Sequence, residues 1–534
     1  MSSSSSAAAA PPQAALAPLA GVALAVTAIA LALGTFMQVL DSTIANVSVP
    51  TIAGNLGVST SQGTWVITSF AVSNGISVPL TGWLMGRYGV VKVFVASVLM
   101  FTIASFLCGI AWNIDALILF RILQGAVSGP MIPGSQALLI MIFPPDKRGT
   151  ALAIWSMTTL VAPICGPILG GYISDNISWP WIFFINLPVG AVCAFFCWRG
   201  MAGRETPTFI KPIDRTGFAL LVIWVGALQV MLDTGKDVDW FNSPAIVVEA
   251  IVAVVAFISW AIWELNDKNP MVDLSLFKTR NFALGCVVLC VGYAVFFGAN
   301  LLMPLWLQTQ MGYIATWAGL VAAPSGVVAV IMTPFAARLL NRYDARILAT
   351  VSMIFFALSF YMRSLYAPDS SFAILAAPML VMGVAMSFFF IAMISITLNG
   401  VPPQQIPAAS GLSNFARIVA GSFAASLATT IWERLEDNHQ TRLAEIMGGP
   451  GGMGSGGGGV TPAMQHALDG AQALGLNAQQ GYGILVRQVV GQAYLGATLD
   501  FFRVSAFIIL CLIPFIWLCK KTMAQPGAAP AAAD

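Results

Sequence analysis

Fourteen stretches of this chain are apolar for long enough to cross a bilayer, and that pattern excludes almost every other fold. A helix needs roughly 20 apolar residues to span the hydrocarbon core. In lipid, only helices or closed barrels satisfy their own backbone groups. The stretches are 16–42, 61–82, 92–110, 115–141, 149–173, 180–199, 215–232, 244–264, 281–304, 314–338, 346–366, 372–399, 406–432 and 500–519. Each is of helical length, so the expected fold class is an all-α integral membrane protein. Only 9% of the residues are charged, against about 25% in soluble domains. A net charge of +2 offers no basic surface for nucleic acid.

The same residues exclude most chemistries. The two histidines, His439 and His466, share one polar segment, which leaves no imidazole in the spans for a metal site or a triad. Cys193/Cys197 and Cys286/Cys290 are spaced i,i+4 without further ligands, and read as small core hydrophobes. No Gly-x-x-x-x-Gly-Lys-Ser/Thr phosphate loop is present. The reading is a transporter rather than an enzyme, with no cofactor, driven by an ion gradient.

Basic residues set the orientation. With the N-terminus inside, sixteen of the 24 Lys and Arg face the cytoplasm and six face out, Arg363 among them, while Arg121 and Arg417 lie within spans. Both termini are then cytoplasmic. Residues 1–15 and 522–534 read as disordered tails. Thr64-Trp65, Pro79 and Arg87-Tyr88 recur as Thr316-Trp317, Pro334 and Arg342-Tyr343, with Pro79 to Pro334 an offset of 255. Spans 1–6 therefore repeat as spans 9–14. The expected plan is an N-terminal six-helix bundle (16–200), two inserted helices (201–270), and a C-terminal bundle (271–432 and 500–521) interrupted by a periplasmic loop (433–499). Parallel repeats of this kind hold a transport site near the midplane, between the halves. The inserted pair is expected to be peripheral, and the glycine-rich loop to be a flexible docking segment.

Asp41 is an acid at or near membrane depth. It either ends the first helix at the outer surface or carries a proton, and the second reading is favoured because such residues usually face a bundle interior. Arg121 sits at a similar depth in span 4 and needs an anion, with Asp41 as the leading partner. Asp115 fits as that helix's N-cap. In span 5, Gly166 and Gly170 make a small face for close packing, and Pro163 and Pro167 permit a bend. Few polar groups line the spans. Phe36, Gln38, Asn46, Asn74, Gln124, Trp155, Asn300, Asn414 and Arg417 are the cavity candidates, in a mostly apolar pocket that suits hydrophobic substrates. Arg417 either attracts an anionic compound or braces the second half.

Together these segments resemble the major facilitator superfamily, in its fourteen-span drug:proton antiporter family, and most nearly the EmrB type of bacterial multidrug exporter. Leu40-Asp41-Ser-Thr-Ile-Ala-Asn46 looks like the first-helix motif, and Arg121-x-x-Gln124-Gly125 like the fourth-helix motif. Gly166-Pro167-x-x-Gly170-Gly171 is similar to the antiporter motif, and Gly82-x-Leu84-x-x-Arg87-x-Gly89 with Lys92 to the cytoplasmic loop motif. The resemblance implies two six-helix halves plus two inserted helices in the bacterial inner membrane. It implies drug:proton antiport coupled through Asp41 and Arg121. Its implied partners are a periplasmic adaptor of the membrane-fusion type and an outer-membrane channel. The runner-up is proton-coupled movement of one hydrophobic metabolite or small organic solute. One departure stands out: the loop motif usually places an Asp before its Arg, where this chain has Gly86.

Overall fold

A computed structural model describes residues 19–58, 60–144, 147–208, 212–235, 238–267, 270–313, 315–448, 465, 469–470 and 477–522. Among the described residues the chain runs through fourteen long helical segments. The first half comprises α1 (Gly21–Leu56), α2 (Thr60–Ser77), α3 (Val90–Gly109), α4 (Ile114–Ser128, continued by Met131–Ile142), α5 (Arg148–Asn176) and α6 (Trp181–Phe184 with Asn186–Gly200). Next come α7 (Arg215–Gly235) and α8 (Pro244–Asn266). The second half comprises α9 (Arg280–Thr309), α10 (Ala315–Leu340), α11 (Ala345–Arg363), α12 (Phe372–Leu398), α13 (Ile406–Gly448) and α14 (Ala478–Cys511 with Ile513–Leu518). Among the described residues 12 of these are long and apolar enough to cross a membrane, or 13 with the bent α5. The remaining one, α2, is 18 residues long. A 3-10 turn at Val78–Leu80, around Pro79, parts it from a short helix, Thr81–Tyr88. The molecule is a multi-span membrane protein.

Several helices depart from the expected spans. The first does not stop near residue 42: α1 runs on to Leu56, so Asp41 lies mid-helix and not at a terminus. Helix α4 is capped by Asn113, whose side chain accepts from the Ala116 N–H at 2.8 Å, while Asp115 merely lies in the first turn. Asn113 wins because it has extended backbone and a short amide in reach of the orphan N–H groups. The ends of the 433–499 stretch are helical, since α13 continues to Gly448 and α14 begins at Ala478. The two extensions support each other. Trp432 Nε1 donates to Thr498 Oγ1 at 2.9 Å, the Trp432 and Tyr494 rings are 4.7 Å apart, and His439 Nε2 meets Asp500 Oδ2 at 2.9 Å. The glycine run beyond Gly448 lies outside the described residues. Arg363, counted among the outward-facing basic residues, is wholly buried at the end of α11.

The halves meet where α5 lies against α10 and α12, and where α13 lies against α4 and the end of α2. At one end of the bundle the seam is backbone-close: a Cβ on Gly82 would sit 2.7 Å from that of Ala408. The inserted pair is not uniformly peripheral. Helix α7 wedges between α2 and α13: its Val225 packs on Gly75, and its Gln229 Nε2 donates to Ser422 Oγ at 3.0 Å. Ser426 Oγ donates to the Leu232 carbonyl of the same helix. Only α8 is outermost, with Val248, Ile251, Val254 and Ile258 exposed.

Each half also closes its own end. After α6, the Glu205 carboxylate accepts from the Val91 and Lys92 N–H groups, both at 3.0 Å, at the N-terminus of α3. After α14, residues 519–522 cross the start of α11: Ala345 N–H donates to the Thr522 carbonyl at 3.1 Å, and Arg346 Nη1 to the Cys519 carbonyl at 3.2 Å. Asp344 caps α11 and pairs with Arg346 at 2.7 Å. Burial works against its ionised form. The Arg346 side chain, together with the Arg346 and Thr522 N–H groups, outweighs that and holds Asp344 below the usual carboxylate range.

Candidate functional site

Five helices of the first half converge on Asp41. Its Oδ2 receives Arg121 Nη1 at 2.6 Å, and its Oδ1 receives Gln124 Nε2 at 3.1 Å and Asn186 Nδ2 at 2.9 Å. Arg121 also donates from Nε to the Val66 carbonyl at 3.0 Å and from Nη1 to Gln124 Oε1 at 2.7 Å, while its buried Nη2 has no hydrogen-bond partner. Its guanidinium lies 4.2 Å from the centre of the Phe70 ring. Ser105 closes the cluster, with its hydroxyl accepting from Gln124 Nε2 at 2.7 Å and Asn186 Nδ2 at 3.2 Å. Asp41, Arg121, Gln124 and Ser105 are all 0% exposed. Taking two charges out of water costs several kcal/mol per ion, and only close pairing with further hydrogen bonds offsets it. Here the offset is assembled from α1, α2, α3, α4 and α6 together. Ser105, Asn186 and Phe70 escape sequence reading. Asn186 left a trace, as a lone amide in the apolar run Phe183-Phe184-Ile185-Asn186-Leu187.

The residues beside Asp41 form the seat of α5. A Cβ on Gly166 would lie 2.8 Å from Thr43 Cβ and 3.1 Å from the Ile44 N, and one on Gly170 would lie 2.8 Å from the Ile44 carbonyl. The two glycines therefore let α5 ride on the turn that follows the carboxylate, and Ser48 and Ser174 hydroxyls bond across the same seam at 2.7 Å. Within α5, Arg148–Pro163 and Ile168–Ser174 are bent by 42°, the deflection expected of prolines that delete helix hydrogen bonds. Pro163 is exposed, Gly171 is half-buried, and the side chain of Pro167 lies outside the described residues. Since α5 also carries the contact with α10, one helix touches both the Asp41 turn and the opposite half.

The cavity candidates do not all gather. Gln124 belongs to the Asp41 cluster. Trp155 is 1% exposed in the core, its Nε1 donating to the Ile132 carbonyl at 3.3 Å. Asn300 donates to its own helix, at the Phe296 carbonyl. Phe36 is half-buried and Gln38 buried on α1, the latter with Oε1 unpartnered. Asn74 is buried on α2, and the Asn46 side chain lies outside the described residues. Asn414 and Arg417 do meet: Arg417 Nη2 donates to Asn414 Oδ1 at 2.9 Å, and Asn414 Nδ2 crosses to Gln136 of the first half at 3.2 Å. In the loop motif, Arg87 lies 5.6 Å from both the Trp83 and Tyr88 rings. Gly89 has φ +94° against Glu205, and Lys92 is exposed. Nothing lies within 4 Å of the Cβ position of Gly86.

The Major Facilitator Superfamily sequence profile matches residues 31–425, from α1 through the inserted pair and into α13 of the second half. The chain belongs to the major facilitator superfamily. Within that superfamily it is 48% identical over 511 residues to "Multidrug export protein EmrB" of Escherichia coli K12, covering 96% of this chain and 98% of the relative. It is 45% identical over 513 residues to "Fatty acid resistance protein FarB" of Neisseria gonorrhoeae, covering 96% and 99%. The superfamily fold is also seen in the solved proton:xylose symporter XylE, with a TM-score of 0.56 at 12% identity over 94% of this chain and 97% of that one. This superfamily member is of the EmrB type.

Proposed function

We propose that the protein exports hydrophobic drugs from a bacterial inner membrane in exchange for protons, with Asp41 as the proton carrier. The relatives support drug export through what they are named for. The sealed pairing of Asp41 with Arg121 is the observation that carries the coupling. A buried carboxyl without its cation favours the protonated form. Parting the pair would therefore load a proton, and reuniting it would release one. Because α5 rests on the turn after Asp41 and also on α10, rotation of one half against the other acts directly on that pair.

The basic-residue asymmetry supports a cytoplasmic side for both termini and for the Gly82–Ala408 seam. On that reading the extensions of α13 and α14 project into the periplasm. They are the natural contact for an adaptor of the membrane-fusion type, which would pass the drug to an outer-membrane channel.

The test is purified protein in proteoliposomes with an imposed proton gradient. Asp41→Asn should retain drug binding and downhill exchange but lose accumulation against a gradient. Uphill pumping by Asp41→Asn at the wild-type rate refutes the assignment.

A further inference from the structure

Along the seam between α2 and α13 the two halves first touch and are then held apart. Next to the Gly82–Ala408 contact, a Cβ on Gly411 of α13 would lie 3.3 Å from Thr81 Cβ. Further along, α7 stands between the two helices, with Phe218 and Ile223 exposed on its outer side. Its two inner contacts are unlike. Towards α13 it is tied by side chains at successive turns. Gln229 Nε2 donates to Ser422 Oγ at 3.0 Å, and Ser426 Oγ donates to the Leu232 carbonyl. Trp240, in the turn that follows α7, donates from Nε1 to Thr430 Oγ1 at 2.8 Å. Nearer the start of α7, the Trp224 ring lies 5.6 Å from that of Phe415. Phe415, Ser422, Ser426 and Thr430 follow one another at helical spacing, so one face of α13 carries every tie. Towards α2 the contact is close and smooth. Val225 fits the hollow at Gly75, where a Cβ would lie 3.3 Å from Val225 Cγ1, and Val78 joins the same apolar cluster.

We infer that α7 is a sliding seal carried by the second half: it keeps its ties to α13, travels with that helix and slides on α2, so that this seam stays closed to lipid while the halves move. A helix lodged between two bodies that rotate against each other has to shift on one of them. Hydrogen bonds are directional and weaken steeply once their geometry is lost. Apolar contact has no preferred direction, and packed helices can shear past one another by small steps. The bonded side therefore holds and the smooth side gives. The outer helix follows the same half, because Trp224 also packs on Trp260 of α8 with ring centres 5.5 Å apart. A seal of this kind serves a hydrophobic cargo, which would otherwise slip sideways into the bilayer. The inference rests on the export reading only in that the halves move; it makes no use of Asp41 or of a proton.

The experiment uses the full-length protein with its eight cysteines replaced, in proteoliposomes, with ethidium accumulation under an imposed proton gradient as the readout. Two cysteine pairs are bridged by a short bis-methanethiosulfonate reagent that a reductant removes, so each protein is its own control. The bridge from Gly75→Cys to Val225→Cys should abolish accumulation, and reductant should restore it. The bridge from Gln229→Cys to Ser422→Cys should leave accumulation unchanged. The opposite pattern makes α7 part of the first half and overturns the inference, as does equal loss, or no loss, with both bridges. A second measurement avoids Gly75 and needs no transport. Nitroxide labels on the exposed positions Ile223, Leu427 and Trp65 are read by pulsed electron resonance in acidic and in alkaline buffer. The Ile223-to-Leu427 distance should stay fixed while the Ile223-to-Trp65 distance shifts. A shifting Ile223-to-Leu427 distance overturns the inference whatever the transport result. A parent protein that accumulates no ethidium counts against the export reading, and the label distances then decide the seal by themselves.

Discussion

Removing Asp41 and Arg121 one at a time should damage the protein more than removing both. The pair is 2.6 Å apart, with side chains 0% and 1% exposed. Breaking one partner of a buried ion pair strands a charge and costs about 3–5 kcal/mol. Asp41→Asn leaves the guanidinium with the Val66 carbonyl, Gln124 Oε1 and the Phe70 face. Arg121→Gln leaves the carboxylate with Gln124 and Asn186. The double variant strands nothing, because two neutral amides can bond to each other and to the same neighbours. Replacing a buried pair by well-fitted neutral groups is often close to neutral. The double variant should therefore cost less than either single change. The interaction energy in the double-mutant cycle should then be about 3 kcal/mol or more, read as unfolding in graded denaturing detergent at neutral pH. All three variants should fail to accumulate drug against a gradient, so stability and transport part company in the double. Additive losses would mean that the two charges are energetically independent, and the coupling argument would fall with them.

Other expectations follow from single contacts. Asn186→Leu removes a 2.9 Å donor to Asp41 and should cost about 1–3 kcal/mol; transport unchanged at full expression would exclude Asn186 from the cluster's work. Gly170→Val places atoms against a helical carbonyl 2.8 Å away and should abolish transport, whereas Gly226→Val, with nothing within 4 Å, should not; vesicle uptake decides it. Asp344 is held below the usual carboxylate range, so its support for the folded state is complete at neutral pH and lost as pH falls through that lowered value. Asp344→Asn should therefore unfold more easily than wild type at neutral pH, and the gap should begin to close only below about pH 4 and vanish below the lowered native value; a gap constant with pH would refute that reading.

How much of this was legible follows from the physics of each signal. Asp41 and Arg121 are conspicuous because charge in an apolar run is costly. Their neighbours Ser105 and Asn186 are small or neutral, and become visible only when α3 and α6 are brought beside α1. The repeat exposed the two halves, since Pro and Arg punctuate helices at fixed places. The ends of helices were less legible. The polar face of Glu433–Gly448 reads as loop by hydropathy, yet Trp432, His439 and Asp500 show it paired with α14. Arg363 misled because position along the chain says how deep a residue lies but not which way its helix neighbours close over it. The wedging of α7 depends on amides meeting hydroxyls across helices, at Gln229 and Ser422, and no single-helix pattern carries that.

The clasps at Glu205 and at residues 519–522 bear on how such a molecule changes length over evolutionary time. A bundle that ties off its own last turn makes no demand on the chain that leaves it. The linker between bundles is then free to lengthen, and the entropy of closing a loop rises only slowly with its size. An extra hairpin of two helices can be spliced in at that point, as α7 and α8 are here, without either bundle re-forming its end.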